Sequence, residues 1–249
     1  MKNYRIHHGG EVIDFEITHR PAITKRIHLE IDDAGGLQVV APRRMSRRSI
    51  QRALQQKASW VSRFLLRARA RQQELPELQY LDGEGHFFLG RKHPLEVRVK
   101  RGRATVEALD NGIRISIPEP GAGKVMGALE KWYRRQAQQI FEQSLQRFSQ
   151  AASWTGGQAP PMRLRKMKRT WGSCSSSGRI TLNPHLVKAP AQCIDYVIAH
   201  EICHLREHNH GKAFYALQQQ LYPNWREARA HLTEKGHIYL HSQERLQPR

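Results

Sequence analysis

Alternating hydrophobic and polar residues predict strands in the first half of the chain. Runs in which apolar side chains recur at every second position, bounded by turn residues, are typical of half-buried strands. Such runs lie at residues 11–17, 27–31, 37–42, 93–99, 103–109 and 113–118. The segments 32–36 and 110–112 are rich in Asp, Asn and Gly, so each predicts a hairpin between the strands on either side of it. We therefore expect an antiparallel sheet.

A helix separates the two groups of strands. Apolar residues recur at helical spacing from Ile50 to Leu65. Ser46 is a typical N-cap residue, and Pro76 cannot continue a helix. The pattern predicts one helix between Ser46 and Pro76.

Helical periodicity dominates the second half of the chain. It predicts helices at residues 124–152, 191–207, 212–221 and 224–234. Two short strands, residues 162–170 and 179–183, lie around the turn Ser175–Gly178.

Pro and Gly accumulate in the segment 118–123, directly before the long helix, and this composition predicts a domain boundary. We expect an α+β protein of two domains. Residues 1–120 form a β-rich N-terminal domain with one helix. Residues 121–249 form a mainly helical C-terminal domain with a small β-hairpin.

The net charge of the chain indicates a further class of binding partner. The 249 residues include 41 Lys and Arg but only 22 Asp and Glu, a formal net charge of +19. Such a surface attracts polyanions. Basic clusters lie at Arg43, Arg44, Arg47 and Arg48, and again at Arg163, Arg165, Lys166, Lys168 and Arg169. Each cluster could follow a phosphate backbone or be a solvated face, so nucleic acid is a candidate partner.

The location of the protein is predicted from two absences in the sequence. The first residues lack a signal-peptide pattern, and no apolar run is long enough to cross a membrane. Cys174, Cys193 and Cys203 are odd in number and form no CxxC pair, which argues against a disulfide framework. We expect a cytoplasmic protein with reduced thiols and no membrane partner.

The segment HEICH carries the candidate chemistry. On a helix His200 and His204 project from the same side, one turn apart, so both imidazoles can bind one metal ion. Glu201 lies about 100° round the helix from His200. It can therefore reach a metal-bound water and act as a general base. Apolar residues on the other face can anchor this helix in a core: Ile194, Ile198, Ile202 and Leu205.

The third metal ligand has two main candidates. His210 follows His200 by ten residues, the spacing of zinc peptidases with three histidines, and Asn209 and Gly211 tolerate a left-handed turn that would bring it back. Glu227 lies in a later helix, where other zinc peptidases place a glutamate ligand. The spacing favours His210.

Two alternatives to this site remain open. His208 could bind the metal or cap the helix end, and the histidines could also be ordinary surface residues. Glu207 replaces the glycine of the extended three-histidine motif, and no methionine follows Met167, so the chain is not a standard metzincin.

Three ordered segments resemble the YgjP-like metallopeptidases and, more distantly, the SprT-like proteases. They are RTWGSCSSSGRITLNPHL from Arg169, DYVIAHEICHL from Asp195 and NHGKAF from Asn209. Weaker similarity extends into the first half, at VAPRR, Trp60 and DGEGHFFLGRKHPLEV. The resemblance implies a zincin-like C-terminal domain, with a zinc ion on His200, His204 and His210 and with Glu201 as the catalytic residue.

The favoured function is hydrolysis of peptide bonds in a peptide or protein. A nucleoside triphosphate pyrophosphohydrolase is an alternative, although the chain has no phosphate-binding loop. A second alternative is a basic nucleic-acid-associated protein with a vestigial zinc site. The hairpin around Ser175–Gly178 could pair with an extended substrate, or could simply pack Trp171 in the core. Tyr215, Tyr222 and several arginines are candidates for stabilising the oxyanion.

Overall fold

The computed structural model describes residues 4–19, 27–31, 36–73, 75, 78–167 and 170–240, with the side chains of residues 71–73 left aside. The expected turn at 32–35, the helix stop at Pro76 and the basic residues Lys168 and Arg169 lie outside this set. The chain divides into two compact units, Met1–Pro76 and Glu77–Arg249. Both combine helices with sheets, so the α+β class is confirmed.

The first unit is a four-stranded sheet followed by two helices. Its elements are β1 (Tyr4–His8), β2 (Glu11–His19), β3 (His28–Ile31), β4 (Leu37–Ala41), α1 (Arg47–Gln56) and α2 (Ala58–Gln73). The strand order is β1-β2-β4-β3. The outer pairs are antiparallel as expected, but β2 and β4 are parallel. The sheet is therefore mixed, and β1 is a strand that the sequence pattern did not predict.

The predicted helix after Ser46 is two helices. Ser46 caps α1 as expected, because its Oγ accepts a hydrogen bond from the Ser49 amide at 3.2 Å. Lys57 then leaves the helical conformation, with φ −113° and ψ 24°, and α2 starts at the next residue. Both helices bury their apolar residues in the core of this unit, where Ile50 and Val61 are completely buried.

The second unit begins with another four-stranded sheet. It consists of β5 (Gly85–Phe88), β6 (Arg91–Val99), β7 (Thr105–Leu109) and β8 (Gly112–Ile117), in the order β5-β6-β8-β7. Here too the central pair, β6 and β8, is parallel and the outer pairs are antiparallel. The two sheets thus share one strand order although the sequence shows no repeat.

The rest of the second unit holds a long helix, a small sheet and three further helices. The elements are α3 (Ala122–Ala151), β9 (Met162–Leu164), β10 (Gly172–Cys174), β11 (Ile180–Leu182), α4 (Ala191–Cys203), α5 (Lys212–Leu221) and α6 (Trp225–Leu240). The hairpin expected around Ser175–Gly178 is β10–β11, and β9 lies parallel to β11. Two predicted elements are shorter than expected, since β9 ends at Leu164 and α4 at Cys203.

The boundary expected at residue 120 falls inside the second unit. Ile115 and Ile117 of β8 lie in the same hydrophobic cluster as Val125 and Leu129 of α3. Residues 118–121 therefore connect a strand to a helix of one core. Pro and Gly content marks this connection as a turn. The two hydrophobic clusters formed by the described residues lie in the separate ranges 1–76 and 77–249.

Contacts from α3 and the residues after it hold α4 in place. Ser144 of α3 donates a hydrogen bond to Asp195 of α4 at 2.7 Å. The indole N–H of Trp154 donates to the carbonyl of Ile202 at 3.1 Å. The face of α4 expected to be apolar is in the core, with Ile194, Ile198 and Ile202 buried. Among the described residues, no helix has the length and hydropathy to cross a membrane.

Candidate active site

Three histidines meet at the end of α4. His200 lies in its last turn, His204 directly follows it, and His210 precedes α5. One ring nitrogen from each lies within 4.8 Å of the other two. The Nε2 atoms of His200 and His210 are 3.0 Å apart. The structure therefore brings together the three residues predicted from the motif and its spacing.

The turn that returns His210 is not the left-handed one expected at Asn209 and Gly211. Gly211 has φ −89° and ψ −172°, and Asn209 is absent from the described residues with positive φ. Just after α4 the backbone continues in a tight helical turn. The Leu205 amide donates to Ile202 and the Arg206 amide to Cys203, both at 3.1 Å. The Gly211 amide donates to the Asn209 carbonyl at 2.7 Å, so the turn that contains His210 forms without a left-handed residue, and the expectation of one was wrong.

Hydrogen bonds orient two of the rings. His200 Nδ1 donates to the side-chain oxygen of Gln218 at 3.2 Å, and His204 Nδ1 donates to the carbonyl of Glu207 at 3.0 Å. A neutral imidazole carries a single N–H, so a proton on Nδ1 leaves the Nε2 lone pair free. Such an outer hydrogen bond is the usual support of a metal-binding histidine. Glu207 thus contributes its backbone oxygen where the extended motif has glycine.

Phe214 packs against all three rings from one side. Its ring centroid lies 4.8 Å from that of His200, 4.6 Å from that of His204 and 4.7 Å from that of His210. Phe214 is completely buried. It restricts the rings to one arrangement and keeps water away from that side of the cluster. Sequence reasoning missed Phe214 and Gln218, although both lie on the helix that directly follows His210.

Glu201 is buried beside β10. Only 5% of it is exposed, and its Oε2 atom has no hydrogen-bond partner among the described residues. Burial raises the pKa of this carboxyl to about 8, against the opposing effect of a hydrogen bond from the Cys174 amide. A β-carbon on Gly172 would lie 2.6 Å from Oε1 of Glu201. Gly172 therefore provides the space that the carboxyl group occupies.

The remaining candidate ligands lie apart from the cluster. Glu227 is exposed on α6 and His208 is exposed after α4, and neither belongs to the group of residues that could hold one ion. Cys193 and Cys203 are completely buried, as packing residues would be. Cys174, which the sequence could not place, lies on β10, and burial raises the pKa of its thiol.

The three-histidine cluster fits a zinc ion. Burial, and then the neighbouring histidines, lower the pKa of His200 to about 4, so this ring is neutral near pH 7, as a metal ligand must be. Two nitrogens bound at the usual zinc distance in tetrahedral geometry lie about 3.3 Å apart. The 3.0 Å between Nε2 of His200 and Nε2 of His210 is close to that value.

Comparison with known proteins shows the family of the chain. The family model described as the YgjP-like metallopeptidase domain matches residues 25–235. The chain belongs to the YgjP-like metallopeptidase family. One similar solved structure is the metallopeptidase zymogen of Pyrococcus abyssi abylysin. It is 22% identical, the match covers 40% of this chain and 93% of that one, and the TM-score is 0.33. No curated protein matches the chain.

Aromatic residues flank the histidines in this YgjP-like chain. The ring of Tyr196, one turn before His200 on α4, makes an edge contact with His200 at a centroid distance of 5.8 Å. Tyr215 stacks on the ring of His210 at 6.3 Å and on Trp225 at 5.3 Å. Tyr222 donates its hydroxyl hydrogen to the carbonyl of Gln192 at 3.2 Å. Tyr196 was not predicted, but its position four residues before His200 puts it on the same face of the helix.

Proposed function

We propose that this metallopeptidase is a zinc-dependent enzyme of the HExxH type that hydrolyses peptide bonds. The observation that carries the proposal is the buried carboxyl of Glu201, which directly follows the first of three converging histidines and has an unpartnered Oε2. A buried carboxylate oxygen without a partner is costly, so such a group is kept where it has a chemical role.

His200, His204 and His210 would hold the zinc ion through their Nε2 atoms, while Gln218 and Glu207 fix the orientation of two of the rings. A zinc ion in such a site lowers the pKa of a bound water and polarises a carbonyl group. Glu201 accepts the proton of the attacking water at its carboxylate and then donates it to the leaving amine. The Cys174 amide, which donates to the Glu201 carboxylate, fixes the orientation of the group.

Strand β10 offers a place for an extended peptide. It is an edge strand, because the small sheet has the order β10-β11-β9 and β10 pairs only with β11 among the described residues. Its Cys174 amide points to Glu201 on the side away from β11. A peptide added to this edge would run past the catalytic carboxylate, held by main-chain hydrogen bonds.

The test compares the wild type with Glu201→Gln, both loaded with zinc. The assay combines a library of unstructured peptides, read by mass spectrometry, with a panel of nucleoside triphosphates, read by phosphate and pyrophosphate release. We expect peptide cleavage by the wild type only, with equal zinc content in both proteins. Turnover of nucleotides without peptide cleavage would assign the site to phosphoanhydride hydrolysis instead. Undiminished peptide cleavage by Glu201→Gln would overturn the catalytic role of that residue.

A further inference from the structure

The two helices of the first unit carry positive charge without compensation. From Arg43 to Gln73, which spans α1 and α2, the chain has no Asp or Glu. Every Arg and Lys from Arg43 to Arg69 is exposed. We call this surface the basic helix pair.

Within the described part of the chain, these cations are not paired with carboxylates. Among the described residues of the first unit, Arg5 pairs with Asp14 at 2.7 Å, and no cation of the basic helix pair forms an ion pair. Like charges crowded on one surface repel each other, so this arrangement destabilises the free protein and favours a bound polyanion. The net charge of the chain alone did not show that the unpaired positive charge is concentrated on these two helices.

An exposed aromatic site lies within the basic helix pair. Trp60 is 45% exposed although it lies on a helix with a buried face. Its ring is tilted by 30° against that of Phe64, with the centroids 6.4 Å apart. Trp60 and Phe64, together with Arg63 and Arg67, line an open cavity of about 200 Å³. Two aromatic rings beside two arginines suit a planar ring that carries a phosphate.

The exposed apolar residues do not form a continuous face. Trp60 and Leu66, which is 62% exposed, are the large exposed hydrophobic residues described on these two helices. They lie about 120° apart round α2, with arginines between them. A membrane-surface helix needs a broad apolar stripe, so charge and aromatic stacking describe this surface better than membrane insertion does.

We propose that the basic helix pair binds single-stranded nucleic acid, with Arg63 and Arg67 on phosphates and an unstacked base on Trp60 and Phe64. Cationic grooves with exposed aromatic rings are the usual sites for single strands, because every base has a face that can stack. In a duplex the bases are stacked on each other and cannot reach the cavity. The site belongs to the first unit and the histidine cluster to the second, and the proposal does not depend on the proposed peptidase chemistry.

The test measures fluorescence anisotropy of a labelled 20-nucleotide single strand of mixed sequence, as DNA and as RNA, against the same sequence as a duplex. The full-length zinc-loaded protein is titrated at several salt concentrations. We expect the single strand to bind more tightly than the duplex. Arg63→Gln/Arg67→Gln should lower the affinity at least tenfold and reduce the slope of log K against log salt by about 1.4. Trp60→Ala should lower the affinity at least fivefold, and Trp60→Phe should restore most of it.

A charge-matched control removes two exposed arginines of the second unit, Arg101→Gln/Arg103→Gln. An equal loss of affinity in this control would show that only the total charge matters and would overturn the proposal. Tighter binding of the duplex, or unchanged binding by Trp60→Ala, would also overturn it. So would binding of phosphatidylglycerol vesicles without binding of the single strand, which would assign the surface to anionic lipid.

Discussion

The Glu201 carboxyl occupies the space next to Gly172 so closely that a β-carbon on Gly172 would lie 2.6 Å from Oε1 and 2.8 Å from Cγ. Such distances are far below van der Waals contact. The side chain of Glu201 is buried and belongs to a helix packed in the core, so it cannot move away freely. Gly172 and Glu201 therefore constrain each other across the gap between β10 and α4.

The variant Gly172→Ala should displace the carboxyl group and reduce peptidase activity while leaving zinc bound. Displacement of a catalytic group by about 1 Å costs on the order of 100-fold in rate. The measurements are kcat/KM on a cleaved peptide and zinc content by mass spectrometry. Ser173→Ala, on the same strand and exposed, is the matched control and should keep its activity. Full activity in Gly172→Ala would show that the carboxyl group does not need its present position.

The zinc content of single variants distinguishes the metal ligands from neighbouring residues that do not bind the ion. We expect about one zinc ion per chain in the wild type, as in a mononuclear zinc site. His200→Ala, His204→Ala and His210→Ala should each lose it, because each removes one of three converging nitrogens. Glu227→Ala and His208→Ala should keep it. If folded Glu227→Ala lost its zinc while His210→Ala kept it, Glu227 and not His210 would be the third metal ligand.

Gln218 should set the zinc affinity without touching the ion. Its side-chain oxygen accepts the Nδ1 hydrogen of His200, and loss of such a partner weakens metal binding by about 10 to 100-fold. Gln218→Leu keeps the volume and removes the acceptor. A competition titration against a zinc chelator measures the dissociation constant, and the exposed Gln220→Leu on the same helix is the control. Equal zinc affinity in the two variants would remove Gln218 from this role.

More of the candidate site than of the fold could be predicted from the sequence. Two histidines and a glutamate within one helical turn are a local pattern, and helix geometry alone places them together. His210 could also be predicted, because only a short connection separates it from this helix. Phe214 and Gln218 could not be assigned, because their contacts depend on how α5 packs against α4, which no periodicity specifies.

The pairing of strands was the part of the fold that the pattern left open. Alternation marks a strand but does not name its neighbour, so the parallel pairs β2–β4 and β6–β8 were read as antiparallel. Pro118 and Gly121 indicated a boundary for a similar reason. They mark the end of a strand. The division of the chain into hydrophobic cores depends instead on which side chains, far apart in the sequence, pack together.

The stability of the second unit should depend on Glu130 in a pH-dependent way. Burial alone would raise the pKa of this carboxyl, but the hydrogen bond from His185 at 3.0 Å and the nearby Lys188 and Lys166 lower it to about 2. A depressed pKa stabilises the fold above the unfolded value of 4.5, and this contribution is lost as the pH falls toward 2. Glu130→Gln should therefore lower the unfolding free energy by about 3 kcal/mol at pH 7.

Urea unfolding of the wild type and Glu130→Gln between pH 7 and pH 3 measures this effect. The difference in unfolding free energy between the two proteins should shrink below pH 4.5. In that range the unfolded wild type takes up a proton on Glu130 that the folded protein does not, which favours unfolding. Glu142→Gln, an exposed position on the same helix, controls for the loss of one negative charge. A difference that stays constant over this range would mean that the ion pairs of Glu130 contribute nothing to stability.

Tyr196 should donate a hydrogen bond to the oxyanion that forms during peptide hydrolysis. Its ring contacts His200, whereas the Tyr222 hydroxyl is engaged by Gln192. Tyr215 stacks on both Trp225 and His210. Burial raises the pKa of Tyr196, so its hydroxyl stays protonated. Loss of one such donor costs about 100-fold or more in kcat. Tyr196→Phe should show this loss with KM and zinc content unchanged, and Tyr222→Phe should not. An unaltered kcat in Tyr196→Phe would leave oxyanion stabilisation to the metal and the backbone.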